Sequence, residues 1–143
     1  MGTDVIVTRT DLQNLARRRL REARLLLQNG LYDGAYYLFG LAIECAIKSC
    51  IARRTRRHDF PDKQVVSESH THDLTKLMKI AGLEPALLLE SAAHPLFATN
   101  WNVVKDWKVE TRYLIVGQQK ASDMRSAVVG KPHGVMSWIR RNW

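Results

Sequence analysis

The run YDGAYYLFGLAIECAIK, Tyr32 to Lys48, carries apolar side chains almost all the way round a helical wheel. A helix of that kind has to be covered on two sides, so the rest of the chain must wrap around it. Ala35, Phe39, Ala42, Ala46 and Cys50 recur at helical spacing and form one stripe. Tyr37, Leu41, Glu44 and Lys48 line the opposite side. Glu44 stands four residues before Lys48, the favourable order for a helical ion pair. A buried carboxylate there is costly unless it is fully paired. One face serves the domain's own core. The other, around Tyr37, Leu41 and Glu44, is the first choice for an interface with a second copy.

The neighbouring segments predict more helices. Thr8 or Thr10 can cap a first helix of about Thr10–Asn29, which Asn29-Gly30 stops. Its stripe is Leu12, Leu15, Ala16, Leu20, Ala23, Leu26 and Leu27. Arg17, Arg21 and Arg24 face away, whereas Arg19 falls inside the stripe, as a side chain snorkelling to water or facing a cleft. The short Gly30-Leu31 connection returns the central helix, about Leu31–Arg54, antiparallel to the first. With 143 residues the chain reads as one domain, 1–143, large enough for its own core. The fold class is all-α, an antiparallel helical bundle of two long central helices plus shorter C-terminal helices. Met1–Val7 reads as an arm and His58–Ser69 as a polar loop.

His70, Thr71, His72 and Asp73 follow. The cluster invites a metal, but no other group at ligand spacing accompanies it, so the reading is that no metal binds. Thr71 or Asp73 instead caps a helix Leu74–Ala81 that ends at Gly82. Glu84-Pro85 opens another, which runs to about Ala93 and ends at Pro95. Trp101, Val104 and Trp107 read as packing anchors in a loop-and-turn region. Glu110 and Thr111 lead into Arg112-Tyr113 and a helical run weakened by Gly117. Ala121 to Val129 is clearer helix, Gly130-Lys131-Pro132 breaks it, and His133 to Asn142 is a last amphipathic helix.

Lys and Arg number 22 against 14 acids, a net charge of +8. The excess fits a polyanionic partner, and it also fits simple solubility. Arg53, Arg54, Arg56 and Arg57 sit where cations complement a helix C-terminus, and they double as phosphate contacts. Cys45 and Cys50 point in different directions on one apolar helix and read as free thiols in a reducing compartment. The absence of a signal pattern and of a long uncharged span predicts a cytoplasmic protein with no membrane association. No phosphate-cradling glycine loop, nucleophile elbow or Cys-x-x-Cys pair is present, so no cofactor is expected.

The run YDGAYYLFGLAIECAIKSCIA, with HTHDLTKLMKIAG, WNVVKDWKVETRY and HGVMSWIRRNW, resembles the HEPN family of small prokaryotic helical proteins. The resemblance covers about Leu15 to Trp143. It implies a helical bundle, usually a homodimer, and an association with RNA cleavage, toxin–antitoxin pairs or partner nucleotidyltransferases. Members that cut RNA pair an Arg with a His after four to six intervening residues, without metal. The His handles a ribose 2′-hydroxyl proton and the Arg stabilises phosphate charge. Arg112 matches that Arg, but positions 117 to 119 hold Gly117, Gln118 and Gln119. None of these is a general base near neutral pH.

Three readings follow. The first is a non-catalytic module binding RNA, a nucleotide or a nucleotidyltransferase partner through Arg112, Tyr113 and the basic surface. The second is a ribonuclease in which His70 or His72 has replaced the missing His. The third is an interaction scaffold with Arg112 in an ion pair with Asp106, Glu110 or Glu44.

Overall fold

The computed structural model describes residues 7–56 and 69–143. Apart from Val7 and Ser69, the expected N-terminal arm and polar loop lie outside them, as does Arg57. Among the described residues the fold is all-α with no strand. The elements are α1 (Arg9–Gln28), α2 (Tyr32–Arg56), α3 (Leu74–Ile80), α4 (Glu84–Ala93), α5 (Pro95–Lys105), a 3₁₀ turn (Val109–Tyr113), α6 (Gln118–Val129) and α7 (Val135–Arg140).

Helix α1 starts at a reciprocal cap. Thr8 Oγ1 accepts from the Asp11 amide at 3.1 Å, and the Asp11 carboxylate accepts from the Thr8 amide at 3.0 Å. It ends where Gly30 turns left-handed at φ +74°, with the Leu31 amide donating back to Leu26. The three-residue connection lays α2 antiparallel along α1, in the most extensive helix pairing of the bundle. The fully buried residues of α1 are Ala16 and Ala23, small enough for a close approach.

Helix α2 also touches α3, the 3₁₀ turn, α6 and α7. Ala35, Phe39, Ala42, Ile43, Ala46 and Ile47 on it are completely buried. Tyr32–Thr55 is long and apolar enough to cross a membrane, but most of it is covered by the other helices. Cys50 Sγ lies 3.8 Å from the Ile139 carbonyl, which ties α2 to α7. The chain returns to α1 at Trp143. Its ring lies beneath the guanidinium groups of Arg17 and Arg140, and its carbonyl accepts from Arg9 and Gln13.

Two expectations are corrected. Pro95 ends α4 but also starts α5, because a proline at the first helical position gives up no intrahelical bond. Trp101 and Val104 therefore sit on a helix, and only Trp107 follows it. Arg112-Tyr113 does not begin a continuous helix either. It closes the 3₁₀ turn, the chain is extended at Leu114, and α6 starts only at Gln118.

Gly40 and Trp107 account for this part of the fold. A methyl group on Gly40 would lie 2.2 Å from the Trp107 indole. The missing side chain makes a notch on α2, and the ring fills it at 1% exposure. Tyr37 packs alongside, its ring centroid 5.8 Å from that of Trp107. The indole Nε1 is buried without a hydrogen-bond partner among the described residues. So the second face of α2 is covered in part by the same chain, and Tyr37, Leu41 and Lys48 keep only partial exposure.

Candidate functional site

Glu44 is the most buried carboxylate among the described residues, at 4% exposure. Its Oε1 lies 2.7 Å from His72 Nδ1, and its Oε2 lies 3.5 Å from Lys48 Nζ. Lys48 comes from the next turn of α2, as the sequence spacing requires. His72 comes from 28 residues away. It stands one residue before Asp73, whose side chain caps α3 by accepting from the Lys76 amide at 3.1 Å. Leu74, Leu77 and Met78 bury α3 in the core, so the cap and the preceding His72 are held against α2. The paired carboxylate fixes the imidazole by one nitrogen. With Nδ1–H donating to Glu44, Nε2 carries the lone pair.

His72 is half exposed and opens on a cleft of about 640 Å³. Asp73, Lys105, Asp106, Lys108 and Glu110 line it with His72. A second hollow of about 400 Å³ shares Asp106, Lys108 and Glu110 and continues to Tyr36, Leu114 and Lys120. The lining carries both signs, so phosphates would meet the lysines rather than a uniformly positive floor.

Arg112 lies on the 3₁₀ turn two residues beyond Glu110. It is exposed, and its guanidinium sits 4.8 Å from the centroid of the Tyr113 ring. It forms no ion pair or hydrogen bond with any described residue, so the expected pairing with Asp106, Glu110 or Glu44 is absent there. Glu44 is already taken by Lys48 and His72. Tyr113, Leu114 and Ile115 are 76%, 55% and 95% exposed, an apolar run beside a free cation. Gly117 is the N-cap of α6, and Gln119 in its first turn donates to Asp123 at 2.7 Å.

The remaining candidates lie elsewhere. His70 is exposed and without a hydrogen bond to the described residues. Arg53 is exposed. Arg54 donates to the Ile80 carbonyl at 2.9 Å and so closes the C-terminus of α3, a structural duty the sequence did not reveal. Arg56 ends α2. Arg19 forms an ion pair with Glu22 at 2.8 Å on the surface of α1 and does not face the cleft. Among the described residues no three His, Cys, Asp or Glu converge to hold a metal. The sequence hid the Glu44–His72 contact because its partners are far apart. The one signal was Glu44 itself, an acid on a buried helix that needs more than Lys48.

The thiols stand apart from this site. Burial first, then the Glu44 charge, pushes Cys45 up to about 11, and burial pushes Cys50 up to about 12. Both stay protonated in the fold, while the unfolded thiols ionise near 9.0. Their contribution is complete below pH 9 and is lost as pH rises toward 11 or 12. Native protein at pH 8 is expected to leave both thiols unlabelled by DTNB until denaturant is added. Cys50→Ala is expected to flatten the loss of stability above pH 9. Rapid labelling of the native protein would contradict the burial.

The family model described as HEPN domain matches residues 10–129. That span includes the Glu44–His72 contact, both hollows and Arg112. No curated protein and no solved structure matches the chain.

Proposed function

This chain belongs to the HEPN domain family, and we propose that it is a non-catalytic RNA-binding member of it. The observation that carries the reading is Arg112. It is an exposed cation paired with no described acid and stacked on an exposed tyrosine, two residues along the chain from Glu110, which lines a cleft together with Lys105 and Lys108. A guanidinium in that state is free to meet a phosphate, and the Tyr113 ring offers a stacking surface for a base. The net charge of +8 supports the same partner.

The protein works in this reading as a cytoplasmic homodimer. The part-covered face at Tyr37 and Leu41 supplies the apolar surface for a second copy. A partner nucleotidyltransferase in a toxin–antitoxin pair would engage the same rim.

The test is fluorescence anisotropy with a labelled single-stranded RNA across a salt series. Affinity is expected to fall as salt rises, and Arg112→Ala is expected to weaken binding about tenfold while the thermal transition stays in place. The same samples are expected to scatter light as dimers. A stability loss without any change in affinity would favour the scaffold role instead.

A second reading has its own observation, the Glu44–His72 hydrogen bond. A carboxylate that fixes Nδ1 and leaves Nε2 toward a cleft is the arrangement of a positioned general base. His72 Nε2 would take the 2′-hydroxyl proton, O2′ would attack the adjacent phosphorus, and the 5′-oxygen would leave with a proton returned to it.

A further inference from the structure

The smaller hollow has a lining that the binding of phosphate alone does not explain. Tyr36 is buried on α2 at 3% exposure, and its side chain borders the hollow. Its hydroxyl has no hydrogen-bond partner among the described residues. Burial, then the nearby Asp106 carboxylate, keeps that hydroxyl protonated well past neutral pH. Lys120, from the first turn of α6, places its ammonium 5.2 Å from the centroid of the Tyr36 ring. Val103 and Leu114 supply apolar walls. Asp106 and Glu110 face the same space with no ion pair or hydrogen bond to a described residue, whereas Asp123 is engaged by Gln119.

A ligand for this place has to meet three conditions. It must offer apolar faces to Val103 and Leu114. It must donate hydrogen bonds, because two of the free groups are carboxylates. It must carry its negative charge outside, near Lys108, Lys120 and Arg112. A nucleobase extruded from an RNA strand meets all three. Uracil presents two carbonyls and one N–H, so it would set acceptors against carboxylates. Guanine presents a ring N–H beside an exocyclic amine, the donor pair that one carboxylate accepts in two parallel bonds.

We propose that the hollow between Tyr36, Asp106, Glu110, Leu114 and Lys120 is a nucleobase subsite that selects a guanine through its N–H and amino donors. The proposal rests on the RNA-binding reading and gives it a base preference. Asp106 or Glu110 accepts the donor pair, the Tyr36 hydroxyl bonds the far edge of the base, and the phosphate lies toward Arg112.

The experiment is titration calorimetry of the full chain with GMP, IMP and UMP. IMP differs from GMP by the amino group alone. GMP is expected to bind about tenfold tighter than IMP, with UMP weakest. One of Asp106→Asn and Glu110→Gln is expected to erase the difference between GMP and IMP, and Tyr36→Phe to weaken all three without moving the thermal transition. Equal binding of GMP and UMP, or a preference that survives both Asp106→Asn and Glu110→Gln, would overturn the subsite. Silence toward every mononucleotide up to millimolar concentration would also overturn it. Heat from spermidine with none from GMP would mark an acidic surface and do the same. In each case salt-dependent binding of RNA through Arg112 would still stand or fall by its own test.

Discussion

Gly40→Ala is expected to destabilise the protein by roughly 3 kcal/mol or more. The new methyl would sit 2.2 to 2.3 Å from three atoms of the indole, far inside van der Waals contact. Trp107 is 1% exposed and packs against Gly40 and Tyr37 of α2. Either the indole leaves its notch or the 3₁₀ turn that follows it lifts from α2. Both outcomes expose apolar surface, and an expelled Trp resembles a Trp→Ala truncation, worth about 3–5 kcal/mol. Chemical denaturation measures the loss. The mechanism has its own check in a double-mutant cycle. In a Trp107→Ala background, Gly40→Ala should cost less than about 1 kcal/mol, because the clash has gone. Additive costs would mean that the notch does not explain the glycine. The loss should also disturb the cleft, since Trp107 lies between Lys105 and Lys108 in the chain and lines it.

Purified protein is expected to leave unstructured RNA intact over the time in which it binds it, with or without chelator. Proton transfer by a positioned side chain is worth ~10²–10⁴ in rate, and the positions following Arg112 hold no group for it. The geometry of Glu44 and His72 defines the opposite outcome equally sharply. If cleavage is robust, His72→Ala should reduce it by ~10²–10⁴-fold. Glu44→Gln should then reduce it too, and should alter the pH profile of the rate, because Glu44 acts through the imidazole it holds. Under the binding reading neither change should remove RNA affinity. Glu44→Gln would then register mainly in stability, by about 1–3 kcal/mol, since a buried acceptor of two partners is altered. Cleavage that survives His72→Ala, Glu44→Gln and Arg112→Ala together would come from a contaminant.

The helices that carry long apolar stripes were legible in the sequence. The two central helices end within about two residues of where their caps and the Asn29-Gly30 turn place them. Asp73 caps α3 as its position suggests. The region from Pro95 to Gln118 was not legible in the same way. A proline that follows one helix is equally able to begin the next, and Trp101, Val104 and Trp107 give the same apolar signal on a helix or a turn. Arg112 was picked out through the resemblance to the HEPN motif, and the structure shows it exposed on the 3₁₀ turn. Glu44 was marked as needing partners, but which histidine answers it depends on how α3 docks. Tyr36 reads as one more aromatic in an apolar run, and nothing local tells its free hydroxyl from a buried one. Sites assembled from single residues on separate helices leave no pattern in the chain. Stripes do, because they repeat.

The burial of α2 also has a cost during synthesis. Its covering elements reach from α1, made just before it, to Ile139 on α7, made about eighty residues after it. A ribosome releasing this chain therefore presents a helix apolar enough to cross a membrane, shielded at first by α1 alone. At ~5–20 residues per second, that interval lasts several seconds or longer. During it, aggregation and chaperone binding would compete with folding for the same surface. Substitutions that slow the docking of α6 and α7 would then lower the yield of protein in cells even where the finished bundle is stable.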